Sequence, residues 1–416
     1  MALESLPLQC LLLLSPSPSP ATFANVKATY HTPLFSVLRE LNLAASSTFN
    51  GKKILDIALP CPHLYTSSSI PRSCLYDETQ RVLANVYKLI TVISTTQGIS
   101  LESGDGIDVR VILISWPRDD RVDLIQEGTA GDDLTGPVIN IRTLASSRRP
   151  WNTIYSIQTE QGEQVLKTFL HSGQGYNSVT KVRGGITAAS TASSAAGLKS
   201  AEGARRHYSV AVGGTFDHLH IGHKLLLTMF AFMADEDPLH DSLGGPEKSL
   251  TVGITAGELL KNKKYAEFLE SWDARQKSTW DFFCAILHFS RAGPDAVRSQ
   301  EITDDGPNGH AVHYKLLSGL VIKLVEIWDP FGPTITDESI SALVISAETR
   351  SGGKAVNDKR REKGWAELEV FEVDVLDAEE ESELHGNGAE QTFQSKLSST
   401  EIRRMQSEKA RREYKV

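Results

Sequence analysis

Apolar positions along the chain fall into short runs of strand length separated by longer stretches with helical spacing. In the first half, Lys53–Leu59 (KILDIAL) and Ile107–Trp116 (IDVRVILISW) predict strands, and Val138–Leu144 (VINIRTL) a third. Gln80–Ser94 (QRVLANVYKLITVIS) has helical length between the first two, giving a βαβ-like pattern over residues 24–183. In the second half the alternation is regular. Tyr208–Val212 predicts a buried strand, Gly222–Ala234 a helix apolar nearly all round, Leu250–Ile254 a strand and Ala274–Ser290 a helix. Val321–Ile327 and Leu343–Ser346 follow as strands, then a basic helix, then Leu368–Val375 as a strand. This order predicts an α/β domain over residues 207–412, a parallel sheet with helices on both faces. A separate, smaller α/β domain precedes it.

Between the two lies GGITAASTASSAAGLKSAEGARR, residues 184–206, built from small and polar residues. Such a segment buries too little apolar surface to offset the entropy of ordering, so it predicts a flexible linker. Gly293–Gly309 and Asp377–Gln391, the latter with the acidic run EEESE, predict surface insertions. Residues 1–23 predict a ragged N-terminus: the apolar run Leu11–Leu14 is short, Glu4 is the only early charge and the first arginine is Arg39. That pattern fits neither a secretory signal nor a mitochondrial presequence.

Composition narrows the classes. Of the 416 residues 40% are hydrophobic and 23% charged, and the formal charge is −9. The negative balance disfavours a general nucleic-acid coat or a polybasic membrane anchor. No apolar run approaches the roughly 18 residues of a membrane span. Four scattered cysteines without a CxxC pair predict neither a disulfide framework nor a zinc site of the usual spacing. A reducing compartment, the cytoplasm with the nucleus as a second location, is expected from the absent signals.

The chemistry concentrates after the first strand of the second half, in Gly213-Gly214-Thr215-Phe216-Asp217-His218-Leu219-His220-Ile221-Gly222-His223. Two glycines after a strand allow close backbone approach to a ligand. His220, Gly222 and His223 open a helix, whose N-terminal N–H groups attract phosphate. Two imidazoles three apart can face the same way and donate to phosphoryl oxygens. On the residues alone two other readings stay open. His218, His220 and His223 can bind a metal, although no cysteine or distant histidine completes a set. The glycines can also form a plain turn with surface histidines.

The GGTFDHLHIGH block resembles the T/HxGH nucleotidyltransferase superfamily, and Leu397-Ser398-Ser399-Thr400-Glu401-Ile402-Arg403 is similar to its ISSTxIR signature. Ser398-x-x-Glu401 is also a capping box. LLKNKK (Leu259–Lys264), DPFGP (Asp329–Pro333) and ETRSGGKAVN (Glu348–Asn357) together resemble eukaryotic-type phosphopantetheine adenylyltransferase, over about residues 207–412. That part is similar to the adenylyltransferase part of bifunctional coenzyme A synthase. DVRVIL (Asp108–Leu113) resembles the N-terminal part of the same protein. The cytidylyltransferase signature and the KMSKS of class I tRNA synthetases are absent. So is a GxxxxGK[ST] loop, so a monofunctional enzyme is expected.

The resemblance implies a Rossmann-like fold and transfer of the adenylyl group of ATP to 4′-phosphopantetheine, with Mg²⁺ accompanying ATP and no protein metal site. It implies that Thr215 and His223 contact the α-phosphate or the attacking phosphate, and His220 the triphosphate. Lys261 or Lys264 steadies the attacking phosphate, with Lys263 in the same stretch. Gly213, Gly214, Phe216 and Gly222 belong to the nucleotide site with Arg350, and Ser398, Ser399, Thr400 and Arg403 hold the β- and γ-phosphates. Asp217, Arg275, Lys354 and Asn357 fall to the substrate, although the residues of the 350–357 stretch also suit a solvated basic helix face. Other coenzyme A pathway enzymes are conceivable partners. The alternatives are an adenylyltransferase for another phosphorylated acceptor, such as nicotinamide mononucleotide, and a non-catalytic nucleotide-binding scaffold.

Overall fold

A computed structural model describes residues 7–47, 51–65, 70–101, 106–118, 135–147, 149–173, 178–186, 203–236, 247–290, 297–304, 308–374 and 398–413. The chain divides into two compact units, Met1–Arg205 with Phe283–Gly293, and Arg206–Phe282 with Pro294–Val416. The first unit is therefore not the smaller one. Most of the expected linker and the whole of Asp377–Gln391 lie outside the described residues.

The first unit runs β1 (Leu8–Leu13), α1 (Phe23–Ser47), β2 (Lys53–Cys61), α2 (Tyr76–Gln97), β3 (Ile107–Ser115), β4 (Val138–Asn140), α3 (Ile141–Ser146), β5 (Thr153–Gln158), α4 (Glu160–Ser172) and β6 (Val179–Arg183). Its strands form one parallel sheet in the order β4-β3-β2-β1-β5-β6. The expected ragged N-terminus is wrong. Leu11 to Leu14 are fully buried, and β1 is a central strand between β2 and β5. An apolar run too short for a signal is the right length for a parallel strand buried on both faces. The strand expected over Val138–Leu144 stops at Asn140. The Asn140 side chain accepts from the Thr143 N–H at 2.7 Å and starts α3 instead.

The second unit runs β7 (Ser209–Gly214), α5 (Ile221–Phe232), β8 (Ser249–Thr255), α6 (Trp272–Leu287, whose last residues belong to the first unit), β9 (Val297–Thr303), β10 (His310–Leu316), β11 (Val321–Ile327), β12 (Ala342–Ser346), α7 (Arg350–Glu362), β13 (Glu369–Val373) and α8 (Ser399–Glu413). The sheet order is β13-β12-β7-β8-β11-β10-β9. The first five are parallel, and β10 and β9 close the far edge antiparallel. The expected Gly293–Gly309 insertion contains β9. Its VRSQEIT sequence is largely exposed, so the ladder to β10 and not an apolar face defines it. α5 is buried along Leu225–Phe232, as its all-round apolar sequence predicts.

The chain lays β8 and β11 on one side of β7, then returns to place β12 and β13 on the other. The order reverses at β7/β12, and open parallel sheets bind ligands at the carboxyl ends of the strands flanking such a point. β7 ends there in Gly213-Gly214 and β12 in Ser346. Among the described residues no helix is long and apolar enough to cross a membrane.

Candidate active site

The loop leaving β7 is shaped by its glycines and by backbone strain. A Cβ on Gly213 would meet nothing within 4 Å, so this exposed stretch of backbone is open. A Cβ on Gly214 would sit 2.9 Å from the ring of Phe216, which is fully buried. Phe216 thus fills the underside of the loop. Phe216 and His218 both adopt the left-handed region, at φ 51° and 46°, which costs a non-glycine residue on the order of 1 kcal/mol or more. Surrounding contacts must hold such a loop.

The loop delivers the chain to α5 with His220 at the N-cap and no side-chain cap. The first N–H groups of α5 therefore keep their donor capacity, which suits an anion. A Cβ on Gly222 would lie 3.1 Å from Cε1 of His220. Gly222 thus leaves room for the His220 ring to fold over the helix start, where it stacks on His223 with centroids 3.9 Å apart. The Nδ1 atoms of both rings are buried and, among the described residues, have no hydrogen-bond partner. Burial keeps both imidazoles neutral at pH 7. The His220 pKa falls well below its ordinary value, by burial first and then by the charges of His223 and Lys224. That of His223 falls to about 4, by burial, against the opposing pull of Asp217 and with help from Lys263.

Thr215 sits between β7 and β8, accepting from the Thr255 hydroxyl at 3.2 Å. Of the three lysines, Lys263 is the one whose charge is felt at His223. Lys261 pairs with Glu258, and Lys264 is held through its carbonyl by Arg403 at 3.0 Å. Sequence reasoning favoured Lys261 and Lys264, because nothing in a run of basic residues separates them, and all three lysines are exposed.

Two arginines expected to touch ligands are instead buried and bonded within the protein. Arg275 donates to the carbonyls of Glu270, Thr215 and Thr255 at 3.0, 2.8 and 2.9 Å. Arg403 pairs with Asp217, and each side chain is at most 2% exposed. Arg403 also donates to Thr400 Oγ1 at 3.3 Å. Asp217 accepts from the Glu270 N–H at 2.9 Å, and its own carbonyl accepts from the Ser399 hydroxyl at 2.8 Å. Ser398 caps α8 by accepting from the Glu401 N–H at 3.2 Å, as the capping-box spacing predicts. The two motifs, far apart in sequence, thus meet at Asp217. Glu270, which no sequence pattern singled out, joins them and also accepts from the His218 N–H at 2.7 Å.

Across the switch point α7 begins at Arg350, and its N-cap Thr349 makes no side-chain cap. Arg350 pairs with Glu372, its Nε donating at 2.7 Å. Lys354 is exposed. Asn357 exchanges two hydrogen bonds with the backbone of Leu368, at 3.0 and 2.8 Å, and so fastens α7 to the start of β13. Asp217, His218 and Glu270 form the one described His/Asp/Glu cluster close enough to hold a cation. Both Asp217 oxygens already accept from Arg403 and Glu270, and Glu270 Oε2 accepts from His218.

Residues 1–188 match a family described as a domain of unknown function (DUF8446). An uncharacterized protein of Schizosaccharomyces pombe is 36% identical over 193 residues, 46% of each chain. A Saccharomyces cerevisiae protein named phosphopantetheine adenylyltransferase is 35% identical over 202 residues, 49% of this chain and 50% of that one. A Methanothermobacter thermautotrophicus protein of the same name is 28% identical over 177 residues, 42% of this chain and 79% of that one. The chain thus spans about half the length of the two yeast relatives.

Proposed function

We propose that the second unit catalyses adenylyl transfer from ATP to 4′-phosphopantetheine, giving dephospho-coenzyme A and pyrophosphate. One observation carries the reading: two stacked, neutral imidazoles on an uncapped helix N-terminus, after a glycine-opened strand at the switch point. The names of the yeast and archaeal relatives support the choice of acceptor.

In this reaction a phosphate oxygen of the acceptor attacks the α-phosphorus in line, and the bond to the bridging oxygen of pyrophosphate breaks. The nucleophile is already an anion, so no protein base is needed. Positioning and charge stabilisation then carry the rate. His223 and the α5 N–H groups donate to the α-phosphoryl oxygens as charge shifts to the leaving group. His220 donates to the triphosphate, and Gly213 and Thr215 let the α-phosphate lie against the strand end. A lysine of the 261–264 stretch supplies the cation for the attacking phosphate, and Lys263, whose charge reaches His223, joins Lys261 and Lys264 as a candidate. Lys354 and the open start of α7 line the β12 side. Arg275, Asn357 and Arg403 act within the protein. Mg²⁺ enters with ATP, held by phosphate oxygens and water, and no step here runs through it.

Pyrophosphate release tests the reading, with ATP, Mg²⁺ and 4′-phosphopantetheine, and with nicotinamide mononucleotide or no acceptor as controls. Release with phosphopantetheine alone is expected. Release only with the other acceptor would reassign the substrate. ATP binding without release would favour a non-catalytic scaffold.

A further inference from the structure

The strongest unexplained feature of the second unit is the burial of Arg403. A side chain that binds a mobile, water-borne triphosphate needs a face toward solvent, yet Arg403 is 2% exposed. Its three nitrogens serve three different segments: Asp217 in the β7–α5 loop, the Lys264 carbonyl in the lysine loop, and Thr400 in the first turn of α8. We propose that Arg403 and Asp217 act as one positioning unit. It holds the strained loop that presents His220 and His223, and it fixes the lysine loop beside them.

Three observations converge on this assignment. Asp217 lies between the two left-handed residues, Phe216 and His218, so its contacts are the ones placed to hold that conformation. Its groups accept from three separate places, the guanidinium of Arg403, the N–H of Glu270 and the hydroxyl of Ser399. The planar fork of Arg403 meets acceptors in different directions, which a lysine ammonium on a flexible stem does not reproduce. α8 is therefore a brace for the loop.

The proposal rests on the adenylyl-transfer reading and makes a distinct claim within it. Arg403→Gln and Asp217→Asn should each lower kcat by about 10²-fold, the scale for misplacing reacting groups by roughly 1 Å. KM and the calorimetric Kd for ATP should move less than about threefold, because neither side chain touches the nucleotide. The double variant should lose no more than the worse single, since one unit is broken once. Arg403→Lys should behave like Arg403→Gln. A direct phosphate contact would behave otherwise. ATP affinity would fall tenfold or more in Arg403→Gln, recover in part in Arg403→Lys, and the losses of the two single variants would multiply. Any of these results overturns the proposal.

Circular dichroism and thermal unfolding establish that each variant is folded. If Arg403→Gln is not, Asp217→Asn, which keeps the side chain's size and its acceptance from the Glu270 N–H, carries the test. It should lower kcat by about 10²-fold with ATP affinity kept, and a fall in ATP affinity instead would overturn the assignment. If the wild type binds ATP but turns over no acceptor, the functional reading fails, and the ATP affinities alone decide the positioning claim by the same criteria.

Discussion

The two units share a plan of parallel strands and differ, beyond the antiparallel edge of the second sheet, at the helix starts beside the switch point. Each winds a parallel sheet outward from its first strand, returns to the other side and leaves a switch point beside that strand. In the first unit the helix starts near that point are satisfied by their own chain. Thr22 caps α1 by accepting from the Asn25 N–H at 3.3 Å, and Thr159 caps α4 by accepting from the Gly162 N–H at 3.1 Å. The Ser15 carbonyl is taken by the Tyr30 hydroxyl at 2.8 Å. In the second unit α5 and α7 have no side-chain cap, and a glycine pair opens the strand end. Fold alone therefore does not make a site. The second unit leaves helix-terminus donors open at the carboxyl end of β7, and on the proposed reading those donors take the phosphate.

The comparison breaks most sharply at His223. His223→Ala should lower kcat by about 10²–10³-fold, the scale for one lost transition-state donor, with thermal stability little changed. Near-wild-type turnover would move the site away from α5. A finer cut is Gly222→Ala. The added Cβ meets the His220 ring at 3.1 Å and shifts it without removing any donor. Activity should fall about tenfold, because small displacements of reacting groups are costly. An unchanged rate would mean that the stacked position of His220 does not matter.

Titration sharpens the contrast differently. His63 in the first unit and His223 in the second both have pKa values depressed by burial, to about 3 and about 4. A depressed histidine is therefore no marker of the site by itself. Below pH 6.5, and down to those values, the unfolded chain takes a proton that the folded chain refuses. Stability should be whole above that range and fall as pH drops through it. Denaturant midpoints from pH 7 to 4 should lose part of this slope in both His63→Gln and His223→Gln, whereas turnover at pH 7 should fall only in the second. A slope unchanged in both variants would assign the acid loss to other groups.

The sequence shows where the second sheet lies because each of its parallel strands is a short apolar run ending in a turn. It shows the turn into α5 because two glycines and two histidines bracket the helix start. β1 escaped because Ser-Pro repeats beside an apolar run look like a tail, and only the pairing with β2 and β5 makes it a centre. β9 escaped because an edge strand needs no apolar face. The arginines escaped for a different reason. Arg275 and Arg403 are buried against acceptors that include backbone carbonyls from distant segments, and carbonyls carry no residue identity. A sequence shows a cation and suggests an anionic ligand; the carbonyls that use it instead appear only in three dimensions.

The smallest effect tests the other half of the comparison. Thr159→Ala removes the α4 cap from a residue in extended conformation, the geometry in which caps contribute. The expected cost is about 1 kcal/mol of stability. Thermal unfolding of the full chain should shift by a few degrees, about 2–4 °C at this domain size. Pyrophosphate release should not change. Uncapping α4 should also create no anion site, because the chain already covers that terminus. A Cβ on Gly184 would sit 2.4 Å from Thr159 Cγ2, and one on Gly185 would sit 2.1 Å from the Ala28 carbonyl oxygen. The start of α4 is thus covered twice, by its cap and by the segment after β6. A loss of turnover in Thr159→Ala, with ATP affinity intact, would show that the caps of the first unit serve the reaction and not only the fold.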